Sequence, residues 1–250
     1  MFLGDVHGRI GALRWALRAA AERGVDAVVQ AGDFGYWEHR PWGADYLDAA
    51  QAAAEESGID VYFIRGNHDN IDLLEDYRAE PGEFAPVRPR ILWVPDATRW
   101  SWSGVSFAAA GGAPSIDRAY RHEGINWWRS ETLGLADARR LVEGGVVDVL
   151  VSHDAPSGAA LGPLTDFPDG DLHRDLLRDV VEALAPHYVF HGHYHRRLTW
   201  VLPLARSGRG AGHVVRGESL DCDGGLEDSI VVADVADLAA AEHPAFVGAR

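Results

Sequence analysis

The chain has 250 residues, 47% of them hydrophobic, which is enough for a sizeable core in one domain or two. Its formal net charge is −15 and all 23 basic residues are arginine, which excludes a Walker-type phosphate loop and lysine Schiff-base chemistry and disfavours a general polyanion binder. Cys222 is the only cysteine, so an internal disulfide and a thiolate metal cluster are ruled out.

Met1 to Leu3 reads as a short first strand entering Gly4-Asp5-Val6-His7-Gly8. It is short for a central strand, so native residues upstream of Met1 are expected. No basic segment precedes Asp5 and no run of about eighteen apolar residues exists, so neither a signal peptide nor a membrane span is expected, and the cytoplasm is the expected location. Residues 9–23 have helical periodicity, with Ile10, Leu13, Leu17 and Ala20 or Ala21 on one face, and end at Gly24. Val25 to Gln30 is a buried strand leading to Gly32-Asp33. An alanine-rich helix covers about 43–57, and Ile59 to Ile64 then runs into Gly66-Asn67-His68-Asp69. Segments 91–94, 97–103 and 105–110 read as a strand and a hairpin turning at Ser103-Gly104.

Residues 111–131 form an irregular loop rich in Gly, Arg and Trp. Helix 132–143 and strand Val146 to Val151 deliver Ser152-His153; helix 171–184 and strand His187 to Phe190 deliver His191-Gly192-His193-Tyr194-His195. Two or three antiparallel strands are expected within 197–234, and residues 235–250 are a C-terminal tail on a single domain spanning 1–250. The alternation of strands and helices places the chain among α/β folds. Each polar block follows the C-terminal end of an expected strand, the rim on which open α/β sheets bind ligands.

The side chains on that rim form a metal-ligand set. Asp5 and His7, one residue apart, can reach the same ion. Asp33 can offer one oxygen to each of two ions, which imidazole with its single lone pair cannot do. Asn67 supplies a neutral oxygen, and His153, His193 and His195 supply nitrogens. Mixed N and O donors without thiolate suit Mn²⁺, with Fe, Zn²⁺, Co²⁺ or Ni²⁺ as alternatives, better than Mg²⁺ or Ca²⁺.

The ordered series of five blocks, from Gly4 to His195, resembles the calcineurin-like metallophosphoesterase superfamily, in its bacterial or phage-type form. The Ser/Thr protein phosphatase branch carries an acidic-Arg-Gly extension after the second block, where this chain reads Gly-Asp-Phe-Gly-Tyr-Trp-Glu. The resemblance implies two mixed β-sheets packed face to face and flanked by helices, and two divalent metal ions. Asp5, His7, Asp33 and His195 would hold one; Asp33, Asn67, His153 and His193 would hold the other. It implies that a hydroxide bridging ions roughly 3.5–4 Å apart attacks a phosphate mono- or diester, and that His68 contacts the phosphoryl group and helps the leaving group depart.

Asp69 and His191 are expected to brace neighbouring groups rather than bind metal, and Asp154 reads as a turn residue. His39, His122, His173, His187, His213 and His243 are expected to be solvated or locally bonded. In the loop from Ser115 to Trp128, Arg118 and Arg121 are candidates for a phosphate clamp, and Tyr120 or Trp127-Trp128 for ring stacking; the bland alternative is that the tryptophans pin the loop and the arginines pair with acids. Arg65 has a similar choice between phosphate and a loop-bracing ion pair. Trp93, Trp100 and Trp102 read as sheet-face packing. The acid excess favours a small soluble phosphate ester over nucleic acid. A nuclease with a groove of Arg118, Arg121, Arg129, Arg196 and Arg197 is the main alternative, and a non-catalytic scaffold a lesser one.

Overall fold

Period-two alternation divides each hydrophobic run between two cores. In β2 (Ala27–Gln30) Val28 faces outward to helices and Val29 inward; in β8 (Val149–Ser152) Leu150 faces outward while Val149 and Val151 face inward. The result is two sheets face to face with helices outside, four layers in all. The computed structural model describes residues 1–77, 83–163 and 168–239.

The first sheet runs β12 (Ile230–Val231), β1 (Phe2–Leu3), β2, β3 (Asp60–Phe63), β5 (Ile91–Trp93) and β4 (Ala85–Arg88). β1, β2, β3 and β5 are parallel, and the two edge strands are antiparallel to their neighbours. The second runs β10 (Leu198–Pro203), β11 (Val214–Ser219), β9 (Tyr188–His191), β8, β7 (Val105–Ala110) and β6 (Arg99–Trp102). Its four central strands are parallel and its edges antiparallel. Both sheets are therefore mixed.

Phe2 stacks on Phe190 across the interface at 3.6 Å, and Tyr62, Trp100, Trp102 and Phe107 extend this inner core. Trp93 instead joins the outer core of the first sheet. α1 (Ile10–Glu22) and α2 (Pro41–Ser57) cover that face, burying Leu13, Leu17, Leu47 and Ala50. α2 starts with Pro41 in its first turn and ends at Gly58 in the left-handed conformation (φ 73°). A four-residue helix, α3 (Ile71–Leu74), follows the third block. α4 (Leu135–Glu143) and α5 (Pro168–Leu184) cover the second sheet.

Several boundaries differ from the sequence reading. α4 begins at Leu135 because Gly134 is extended (ψ 147°), and β8 begins at Val149 because pairing with β7 starts there. The C-terminal strands separate: β10 and β11 extend the second sheet, β11 parallel to β9, while β12 crosses to β1. β4 and its Pro86 had no sequence signal; an edge strand tolerates the missing donor. Within the expected tail, Val235–Ala239 forms a 3₁₀ turn that buries Leu238 in the inner core; 240–250 lie outside the described residues. Among the described residues no helix is long and apolar enough to cross a membrane.

Candidate metal centre

β1, β2 and β3 run parallel, as do β8 and β9, so the five polar blocks leave their strands on one rim. Asp33 Oδ2 lies 3.4 Å from His7 Nε2, 3.5 Å from His153 Nε2 and 3.9 Å from His68 Nε2. Asp5 Oδ2 is 3.1 Å from His195 Nε2 and 3.9 Å from His7 Nε2. Asn67 Oδ1 is 3.1 Å from His153 Nε2, and the His193 ring centroid is 5.1 Å from that of His153. Candidate ligand atoms of Asp5, His7 and His195, and of Asp5, Asp33 and His153, lie within 4.8 Å of one another. Asp33 is the carboxylate between His7 and His153.

The backbone is bent to achieve this. His7 (φ 49°), Asp33 (φ 56°), His193 (φ 69°) and His195 (φ 48°) are all left-handed, each at a cost of about 1–3 kcal/mol that the surrounding structure must offset. Two glycines give close approach: a Cβ on Gly66 would lie 2.0 Å from Asp33 Oδ1, and one on Gly192 2.0 Å from Asp5 Oδ1.

The donor chemistry fits divalent ions, because buried carboxylate oxygens face imidazole nitrogens at distances a cation would bridge. The same carboxylates favour the protonated forms of His7 and His153. Burial pulls His7 down, but the hydrogen bond and charge of Asp33, with the charge of Asp5, outweigh it and raise its pKa to about 9. Burial likewise opposes protonation of His153, and Asp33 and Asp5 raise it to about 10. Asp33 is fully buried, which opposes ionisation, yet His153 and His68 hold it well below the usual carboxylate range. His193 goes the other way: burial lowers it to about 4.

A model of the calcineurin-like phosphoesterase family matches residues 1–197. The chain belongs to this family. Its fold is similar to that of a dimetal phosphatase from Danio rerio, with 14% identity, 89% of this chain and 87% of that chain covered, and a TM-score of 0.52. A putative 5′-nucleotidase from Staphylococcus aureus, in complex with alpha-ketoglutarate, aligns with 12% identity over 85% of this chain and 43% of that chain, with a TM-score of 0.46. No curated protein sequence matches significantly. Membership of the phosphoesterase family implies divalent metal ions, and the Asp and His clusters are the groups placed to hold them.

Further partners hold these candidate ligands and their neighbours in place. Asp69 accepts from the backbone N–H of Gly35 and Tyr36 (both 2.8 Å) and of Gly66 (2.8 Å), tying the second block to the third. Burial, and then repulsion from Asp33, raise its pKa. His191 accepts from Trp200 Nε1 at 2.9 Å and is buried, which lowers it to about 4. Asp154 is more than a turn residue. It is buried and bonded to His173 Nδ1 (2.8 Å) and the Tyr194 hydroxyl, so His173 is not solvated either. Arg65 is buried on Asp96 (2.7 Å) and the carbonyls of Ser130, Glu131 and Thr132, so it braces loops.

Three supporting residues escaped the sequence reading. Asn67 Nδ2 donates to Ser115 Oγ (2.9 Å), which donates to buried Glu131 (2.5 Å), leaving Asn67 Oδ1 aimed at His153. Asp223 Oδ1 lies 2.9 Å from His7 Nδ1. The signal that could have found Asp223 is its place just beyond β11, which is parallel to β9 and ends on the same rim.

Beside the centre is a cleft of about 550 Å³ lined by Asp33, Asn67, His68, Arg121, His193 and His195, among others. The two candidate clamp arginines part company here. Arg121 reaches the cleft, its guanidinium 2.8 Å from His68 Nδ1 and 3.1 Å from Nε2. Arg118 stacks over Trp127 (4.5 Å) and faces Asp169 (3.6 Å), away from the cleft lining. Trp127 and Trp128 are buried and pin the loop, while Tyr120 is 87% exposed.

Proposed function

We propose that the protein is a metal-dependent phosphohydrolase that cleaves small phosphate mono- or diesters. The observation carrying this reading is the convergence of Asp5, His7, Asp33, Asn67, His153, His193 and His195 on one rim, with Asp33 between His7 and His153. Asp5, His7, Asp33 and His195 would hold one ion, and Asp33, Asn67, His153 and His193 the second. Such a pair neutralises phosphoryl charge and acidifies water at neutral pH.

The chain's own residues do the rest. Asp223 and Ala31 fix the His7 and His153 tautomers through Nδ1, leaving each Nε2 free to act as a ligand. Arg121 offers a guanidinium to phosphoryl oxygens. His68, whose backbone N–H is held by Asp33 Oδ1 at 2.8 Å, is placed to give a proton to the leaving oxygen. Mn²⁺ is the favoured metal. Three of the five arginines needed for a nucleic-acid groove, Arg118, Arg129 and Arg197, are already ion-paired away from the centre. This supports small substrates over a nuclease. The test is elemental analysis of the purified protein, followed by turnover of mono- and diesters with added Mn²⁺. Metal bound without turnover of any ester would overturn the reading.

A further inference from the structure

The cleft at the metal centre has a neighbour. A second cavity of about 300 Å³ is lined by Trp37, His39, Arg40, Trp42, Ile125 and Asn126, together with His68 and Arg121, which also line the first. His68 and Arg121 are thus the wall between the two. None of the other six residues belongs to the five motif blocks.

We propose that this second cavity is the leaving-group subsite, built for a flat ring system of nucleoside size. The assignment rests on the phosphohydrolase reading above. His68 stands between Asp33 and the cavity, so an ester oxygen protonated by His68 carries its substituent into the cavity. Hydrolysis then breaks the bond from phosphorus to that oxygen and forms one from phosphorus to a water oxygen. His68 gives its proton to the departing oxygen, which leaves as a hydroxyl. The proton released by the attacking water goes to solvent, from which the imidazole is reprotonated.

The lining chemistry selects the ring. Trp37 and Trp42 lie 4.9 Å apart, tilted by 58°, and present an aromatic corner. Trp42 is 56% and Ile125 52% exposed, and both line this one cavity, so exposed apolar groups gather beside a charged site. Arg40 makes no ion pair among the described residues, although the chain carries an excess of acids. An arginine left unpaired next to two indoles suits a ring whose edge accepts hydrogen bonds. The cavity volume is at the lower end of small-molecule sites, roughly 300–1,000 Å³, which takes one ring system rather than a polymer.

The subsite is preorganised on its inner side. Trp37 Nε1 donates to the His68 carbonyl at 2.7 Å, and Gly43 fits against the Trp37 carbonyl where a Cβ would come within 2.0 Å. The Trp37 ring is therefore coupled to the loop that carries His68.

The experiment titrates the metal-loaded protein with adenosine and, separately, ribose, neither of which it can hydrolyse, and reads quenching of tryptophan fluorescence. Adenosine should bind and ribose should not; W42A should weaken adenosine on the order of tenfold, and R40A should weaken it as well. Both side chains are outside the cores, and circular dichroism checks that the variants fold. Equal response to adenosine and ribose, or wild-type adenosine affinity in both variants, would overturn the subsite. A parallel assay compares kcat/KM for adenosine 5′-monophosphate and methyl phosphate. Selective adenosine binding without turnover of either ester would leave the subsite standing and sink the phosphohydrolase reading. Turnover of both esters at equal kcat/KM would sink the subsite alone.

Discussion

Asp223 Oδ1 approaches His7 Nδ1 to 2.9 Å although the two residues are 216 positions apart. Asp223 also pairs with Arg9 at 2.5 Å, but Arg9 is 73% exposed, so that second bond is worth little. The carboxylate therefore acts mainly on the imidazole, selecting the tautomer that leaves Nε2 facing Asp5 and Asp33.

Replacing Asp223 by Asn should weaken metal affinity by about 10–100-fold, as for other carboxylates behind a ligating histidine. Competition with a chromophoric chelator measures this. Arg9→Ala should have little effect. Equal affinity in Asp223→Asn and wild type would show that His7 is held by other means.

Arg121 bears on the proton inventory of His68. Burial lowers the His68 pKa; Asp33 opposes this, and Arg121 pushes it down further. Removing the guanidinium should raise the His68 pKa, so in Arg121→Gln the alkaline limb of kcat/KM, where a required acid is lost, should move to higher pH. His68→Ala should cost on the order of 10²–10⁴-fold in rate while metal content stays near normal. An unmoved alkaline limb in Arg121→Gln would remove His68 as the group titrating there.

The metal-free protein should have a distinctive pH–stability curve. His7 and His153 are raised to about 9 and 10, so their contribution is complete below about 6.5, the unfolded value, and is lost as pH rises through 9–10. His191 and His193 are lowered to about 4, so their contribution is present above about 6.5 and lost as pH falls toward 4. Thermal midpoints should thus be highest near neutral pH. With metal in place of the protons, the alkaline decline should flatten. A flat alkaline profile without metal would contradict the pairing of His7 and His153 with Asp33.

Gly192→Ala should strip metal, because the new Cβ would meet Asp5 Oδ1 at 2.0 Å and displace a ligand. Gly11→Ala is the control. It lies in α1 with no atom within 4 Å of the new Cβ and should stabilise by roughly 0.4–1 kcal/mol. Elemental analysis and thermal melts of the two variants separate these effects.

The side chains that converge were legible before the fold, because the ligand-type residues stand in short polar blocks, four of the five containing glycine, that follow hydrophobic runs. Such blocks need specific residue types, and type and order survive in a linear text. The alternation of strands and helices carried the α/β class, and the resemblance of the five blocks to a known family carried the expectation of two facing sheets. Three features were not legible: the Asn67–Ser115–Glu131 chain, the Asp223–His7 bond, and the separation of Arg118 from Arg121.

What the sequence alone determined is the inventory of ligand-type residues and the α/β class, set by turn chemistry and local periodicity, while the layered arrangement was implied by the resemblance the five blocks carry. Only the tertiary structure decided which carboxylate backs His7, which arginine meets His68, and that Trp37 and Trp42 open a second cavity beside it. Those contacts join segments 5 to 216 residues apart, and their partners are chosen by distance in space, which no local pattern of residue types records.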